Sequence, residues 1–458
     1  MVRKTRWKAH IFLNPHEVPK NKELYGFPSI RKAPIVELLK PFEDRISKLF
    51  KNIKFGREPN HFQKHLKRDQ KRIEEDSKVL IKGDKSNNYF RMDSKDYENL
   101  VEKEINKEYR KAEIKDLENA DAEQKKLVLS LDLEDRVFEN TELQCFATLK
   151  DHKQNFHGNP KVRTINPFKC EIGKVSKQIL EKLNKHIRKH SGLNQWVSTS
   201  DVVDWFEKLN HKNSKKFIKF DVVSFYPSIT EELLRNAIQW ARKFTEVSEK
   251  EENIIIDSKK SFLFNKKIAW VKKGSTNFDV AQGSYDGAEC AELVGLFILE
   301  EISKIDKLEA GLYRDDGLGV TSATPRQTEN IKKKISQIFQ KHGLGTTSEA
   351  NVKVVDFLDV VFDLENGSYK PYMKPNNTPQ YVHKLSNHPP SILKNIPQNV
   401  NKRLSSISSS EEIFNAAAPP YQKAIDKSGY DYKLQYEPTP SGLPDENKKR
   451  KNRKRKVI

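Results

Sequence analysis

Two strand-like runs that end in acidic residues, ninety-four positions apart, constrain this chain more than any other feature. The first, FIKFDVVSFYPSI (217–229), is rich in β-branched and aromatic residues and places Asp221 at the end of FIKF. The second, GLYRDDGLGVT (311–321), has the pattern of a β-hairpin, and we expect its tip at Asp316-Gly317, with Asp315 and Asp316 beside the turn. If the two strands are neighbours in one sheet, three carboxylates meet at one point. An Asp-Asp-Gly taken alone is more often an ordinary turn, so the surroundings must carry the argument.

Three of those surroundings are informative together, although each has a plain structural explanation. Tyr226 lies five residues after Asp221, where an aromatic wall would meet a sugar held at Asp221 and clash with a 2′-hydroxyl. Gln282 and Gly283 open a run with Gly287, Ala288 and Ala291, small residues that let backbone approach a base pair closely. Lys153, Lys161 and Arg163 flank a polar loop, where cations would neutralise phosphate charge. Converging carboxylates suit hard divalent ions such as Mg²⁺, and a pair of such ions is what nucleotidyl transfer requires.

The overall charge agrees. Lys and Arg outnumber Asp and Glu by 84 to 64, a net +20, which points to a polyanionic partner. The last twelve residues, NKKRKNRKRKVI, hold eight of those cations, so the remainder is still +12. That tail reads as a nuclear import signal or a nucleic-acid arm. Cys145, Cys170 and Cys290 show neither metal-ligand spacing nor a disulfide framework, which fits a reducing compartment. The apolar run AELVGLFIL contains Glu292 and is too short for a membrane span, and the N-terminus lacks a signal-peptide core, so an intracellular protein is expected.

Along the chain, residues 62–76 read as a charged helix, and 79–92 as two strands around an Asn/Gly/Ser turn. A Ser-capped helix through SKDYENLVEKEINKEYRKAEI follows, then a strand pair in 146–167 and a helix from Ile172 to about Lys189 ending before Gly192. Thr230 is the expected N-cap of ITEELLRNAIQWARKF, and 281–302 reads as a small-residue turn entering a buried helix. Another helix runs through ENIKKKISQIFQKHG, and Asn366-Gly367 marks a hairpin. Residues 385–430 are helical in pattern with proline breaks, and the chain after Tyr430 reads as disordered.

FDVVSFYPSI, AQGSYDGAECAELVGLF and LYRDDGLGV stand in the order and spacing of the A, B and C motifs of reverse transcriptases. With IKGDKSNNYFRM, LKDHKQNFHGNPKVRTINP, FLDVVF and KPNNTPQYVHKLSNHPPSILKNIP, the chain resembles the reverse transcriptases of Penelope-like retroelements from about residue 79 to 425. The resemblance implies an α+β right-hand polymerase that copies RNA into DNA from a primer, with deoxynucleoside triphosphates as substrates and two Mg²⁺ ions, or Mn²⁺, as cofactors. It implies fingers (71–215), a palm (216–365) and a helical thumb (366–430), which composition flanks with a basic helical extension (1–70) and a disordered basic tail (431–458). Asp221, Asp315 and Asp316 would be the metal-binding triad with the Val222 carbonyl, and Tyr226 the sugar gate. Gln282, Gly283, Lys161 and Arg163 would contact the nucleotide, and Lys153, Arg314 and Lys374 the template or primer.

The chain departs from the family in three places. Arg314 stands before the Asp pair where a small or branched residue is usual, and Tyr226 replaces the more common Phe. No GIY-YIG endonuclease follows Tyr430, so a truncated copy or one that primes on existing 3′ ends is expected. The alternatives are a copy that binds nucleic acid without catalysis, and an RNA-dependent RNA polymerase, which the bulk of Tyr226 disfavours.

Overall fold

The computed structural model describes residues 2–17, 32–52, 61–131, 133, 143–151, 155–156, 158–167, 172–274, 277–374 and 377–438. Its centre is a five-stranded sheet built on Lys216–Val222, which pairs antiparallel with Asp316–Thr321 on one side and Thr346–Val352 on the other. Asp316–Thr321 pairs with Glu309–Tyr313, which in turn takes Asn194–Gln195 as a parallel edge.

Side-chain alternation gives this sheet two different faces. Ile218, Phe220 and Val222 point into a core made with the helices Ile172–Ser191, Glu231–Ala241, Gly287–Ser303 and Pro325–Lys341. Phe217, Leu318 and Val320 point the other way, into a core with Trp205, Phe206, Phe357 and Phe362. On that second face the alternation continues to Asp221 and Asp316. The helix Gly287–Ser303 is apolar on most sides because it is enclosed on most sides, and its acidic exceptions meet cations: Glu289 faces Lys177 at 3.0 Å and Glu292 faces Arg188 at 3.0 Å.

The strands Lys78–Lys82 and Tyr89–Asp93 pair as expected, as do Phe146–Leu149 and Val162–Ile165. They share a third core with Val101 and Ile105, into which Leu263 and Trp270 also pack. The division drawn at 215/216 is thus crossed in space, and the one at 365/366 falls inside the hairpin of Val360–Asp363 with Ser368–Pro371. That hairpin and the charged helix His61–Glu74 match the sequence reading. So do the helix ending at Ser191 before Gly192 and the Thr230 cap, whose Oγ1 accepts from Leu233 N at 3.1 Å.

Several expectations are corrected. The helix Ser94–Glu108 has Asp93, not Ser94, at its N-cap position and no side-chain capping hydrogen bond, and the Ser94 hydroxyl donates to Ser77 O at 3.0 Å. It stops at Glu108, since Tyr109–Lys111 turns extended to pair with Ile268–Lys272 and packs its half-buried tyrosine against the third core. Register puts the tip of the acidic hairpin at Arg314-Asp315, with Tyr313 opposite Asp316. Gly317 serves packing rather than a turn, because a Cβ there would lie 2.0 Å from the Phe220 ring. Pro397, Pro419 and Pro420 sit inside the helices Pro390–Ser406 and Glu411–Lys427, and the break falls between those helices. Finally, residues 431–438 are tied down: Gln435 N donates to Asn401 Oδ1 at 2.8 Å, Asn401 Nδ2 to Glu437 Oε1 at 2.9 Å, and Glu437 N to Ser405 Oγ at 3.1 Å. The basic tail from 439 lies outside the described residues.

Candidate functional site

Where the central strands run out beyond the second core, Asp221 and Asp316 stand directly opposite each other in register. The tight turn then delivers Asp315, whose carbonyl accepts from Val222 N at 3.0 Å and so locks the turn to the end of the neighbouring strand. Burial first, then the charges of Asp315 and Asp221, push the Asp316 carboxyl up to about 6, against weaker opposing pulls from Lys85 and Lys219. Arg314 takes the left-handed conformation (φ 55°) that opens this turn, and its guanidinium lies 5.6 Å from the centre of the Tyr313 ring. It acts on Tyr226 electrostatically, while burial chiefly raises the Tyr226 phenol above its ordinary value.

A cleft of about 290 Å³ gathers Asp221, Val222, Asp315, Tyr226, Gln282 and Arg163 on its walls. Tyr226 is held there by the short helix Phe225–Ser228, which follows directly on Asp221's strand. Gly283 needs to be glycine twice over: its φ is +115°, and a Cβ would lie 2.5 Å from Asn166 O. The turn docks on the end of Val162–Ile165, with Asn166 N donating to Gln282 O at 3.2 Å.

Not every expected residue arrives. Lys161 is exposed just before the strand Val162–Ile165 and does not line the cleft, and Lys153 lies outside the described residues. Among the described residues, Lys85 and Lys150 line it with Arg163, and the sequence reading did not single them out. Lys85 projects from a turn closed by Gly83 N donating to Asn88 O at 2.8 Å, and Lys150 is held by its own N–H on Lys161 O at 2.8 Å. Burial lowers the Lys150 amine below its ordinary value. Arg163 meets Asp84 at 3.4 Å. Lys374 faces Lys85 and Asp316 and is lowered first by burial and then by Lys85. It lines a second cleft of about 340 Å³, with Lys85, Tyr381, Arg403 and Tyr421, that adjoins the first at Lys85. The nearness of Lys85 and Lys374 to the acidic turn has no local signature, since they come from hairpins nearly 300 residues apart in sequence.

Among the described residues, no three His, Cys, Asp or Glu side chains form a group that holds a metal ion by themselves. Mg²⁺ is bound in nucleotide sites by one or two carboxylates, with waters and substrate phosphates completing its shell. The crowding that raises Asp316 and the exposure of Asp221 and Asp315 to the same cleft fit that mode.

No family model and no curated protein matches the sequence. Among solved structures, telomerase from Candida albicans in complex with a TWJ fragment of telomeric RNA is similar at TM-score 0.51 and 11% identity, over 93% of this chain and 84% of that one. Apo telomerase from Candida tropicalis matches over the same shares at TM-score 0.49 and 12% identity. Its form truncated from the C-terminal domain is matched over 63% of its length at TM-score 0.44 and 12% identity. The RNA-dependent RNA polymerase of a human picorbirnavirus gives TM-score 0.44 at 12% identity, over 96% of this chain and 90% of that one. At such identities the first of these shows the fold: this chain has the α+β right-hand polymerase fold. No helix among the described residues is long and apolar enough to cross a membrane.

Proposed function

We propose that this protein is a reverse transcriptase that extends a DNA primer on an RNA template. The observation that carries the reading is that Asp221 and Asp316 stand in register at the strand ends while Asp315, Tyr226 and Gln282 share the adjoining cleft. Asp221 and Asp315, with the Val222 carbonyl and Asp316 beside them, would hold Mg²⁺. When bound, such ions activate the primer hydroxyl and neutralise charge on the transferring phosphate.

The chain's own residues account for the rest. Lys85, Lys150 and Arg163 present positive charge along the wall of the cleft near the acidic turn, where a triphosphate is drawn in and its charge offset. Tyr226 lines the cleft together with Asp221, and as the sugar gate its ring would clash with a ribose 2′-hydroxyl. The Gln282-Gly283 turn lets backbone come close under the base pair. RNA as template is supported by the motif resemblance and by the telomeric RNA in the similar Candida albicans structure. A Penelope-like lineage rests on the motif strings alone. With a net charge of +20, template binding rests largely on phosphate contacts and weakens steeply with salt.

Primer extension on an RNA template with deoxynucleotides and Mg²⁺, comparing the wild type with Asp315→Asn, tests the reading. Extension by the wild type alone is expected. If both proteins fail to extend yet bind template with a steep salt dependence, the chain is a binding protein instead.

A further inference from the structure

Behind the Gln282-Gly283 turn, outside the cleft, lies a second arrangement of charges. Lys259 and Asp286 form an ion pair whose side chains are 0% and 1% exposed. Ser258 Oγ donates to the second Asp286 oxygen at 2.9 Å. Burial alone would drive the Lys259 ammonium to give up its proton, but the nearby Asp286 and Cys290 hold its pKa above the ordinary lysine value. Burying two charges is costly, and packed apolar side chains would fill the same space at no greater cost to stability, so the pair calls for an account beyond stability.

Its place in the fold supplies one. Asp286 is the residue from which the helix Gly287–Ser303 starts, and its carbonyl accepts from Cys290 N at 3.0 Å. The next residue, Gly287, has no room for a side chain inside the turn, where a Cβ would lie 2.7 Å from Ser284 Oγ and 3.0 Å from Ala281 O, and the same Cβ position is in van der Waals reach of Tyr226 Cδ1 at 3.9 Å. At the other end of the same turn Asp279, 2% exposed, accepts from Tyr109 OH at 2.7 Å and meets Lys272 Nζ at 3.3 Å. The backbone of Asp279 is tied to the same lysine, since Asp279 N donates to Lys259 O at 2.9 Å. Lys259 therefore touches both ends of the turn that carries Gln282 and Gly283, through its side chain at one end and its carbonyl at the other.

We infer that Lys259 and Asp286 are positioning residues for sugar discrimination: their buried pair sets the height of the Gln282-Gly283 turn and of Gly287 against Tyr226, and so the width of the cleft at the sugar. This rests on the proposed polymerase reading. Apolar packing could hold the turn at the same stability; the buried charge pair, with Ser258 Oγ donating to the other Asp286 oxygen, ties Lys259 to one particular position of the helix start.

The test uses the full chain and the double variant Lys259→Met/Asp286→Leu, which removes both charges together and avoids leaving one buried alone. Amide hydrogen exchange, read without nucleotide, is expected to rise at least tenfold in 280–287 and in 225–228 while the central strands stay protected. In primer extension the KM for a deoxynucleotide is expected to rise about tenfold with a smaller change in kcat, and the preference over the matching ribonucleotide to fall about tenfold. Lys259→Arg, which keeps the charge, should restore part of the preference. Unchanged exchange at 225–228, or an unchanged sugar preference in an active double variant, overturns the inference. If exchange couples the two segments but the wild type extends no primer, positioning stands and the polymerase reading falls.

Discussion

The acidic groups of the turn region and those of the strand ends belong to one stretch of the molecule, yet their surroundings are opposite. Asp286 and Asp279 are almost wholly buried and each faces a lysine, Lys259 and Lys272 respectively. Asp221, Asp315 and Asp316 are half-buried, and the strongest charges acting on Asp316 are the other two carboxylates. Carboxylates answered by the chain's own cations hold backbone in place. At the cleft, burial and the charges of Asp315 and Asp221 raise the affinity of Asp316 for a proton, and negative charge gathered there would favour any cation that arrives from outside. The difference separates the part of this region that shapes the site from the part that would do its chemistry.

Asp315→Asn should break the comparison most sharply on the chemical side, cutting nucleotide incorporation by roughly a thousandfold or more while leaving template binding within about twofold. Incorporation at near wild-type rate would remove Asp315 from the machinery. Asp286→Asn should act on stability instead, since it leaves Lys259 buried beside a neutral partner. A loss of about 3–5 kcal/mol in denaturant unfolding is expected, and an unchanged midpoint would contradict the burial argument.

Asp316→Asn should have the opposite sign. Because the folded Asp316 titrates near about 6 against an ordinary 3.8, the folded state binds more protons than the unfolded one between those values. Its penalty is absent below about pH 4, grows as pH rises to about 6 and remains above that, at roughly 2–3 kcal/mol. Asp316→Asn is therefore expected to be more stable than the wild type at pH 8 by about that amount and no more stable at pH 4. Equal stability of the two proteins at pH 8 would mean the carboxylates are not in conflict. Gly317→Ala sharpens the same contrast from the packing side: with Phe220 fixed in the helix-facing core, a methyl should cost about 1–3 kcal/mol. The smallest effect concerns selection alone, where Tyr226→Ala should raise ribonucleotide incorporation about tenfold with little change in fold, measured as the ratio of kcat/KM for the two sugars.

Much of this region is legible in the order of the amino acids. A strand that alternates Phe217, Lys219 and Asp221 against Ile218, Phe220 and Val222 announces its two faces, and the spacing of Tyr226 from Asp221 follows from a strand running into a short helix. Thr230, Gly192 and Asn366-Gly367 mark their caps and turns because a single local hydrogen bond or backbone angle decides them. The same local logic misplaces the acidic hairpin tip: Asp-Gly is a good turn, but pairing with Phe220's strand claims Gly317 first. It also reads prolines as helix ends where Pro397 is buried within a helix, and takes 431–438 for disorder although Asn401 and Ser405 pin it.

By itself the sequence determined which carboxylates, which aromatic and which glycine stand at the strand ends and turns, since these depend on neighbours a few residues away. Only the tertiary structure decided which cations reach them, preferring Lys85 and Lys150 to Lys161, and only it joined Lys259 to Asp286 and Lys374 to Asp316. Those contacts close over tens to hundreds of residues. Their partners are chosen by how whole sheets and helices pack, and that leaves no periodic trace in the chain.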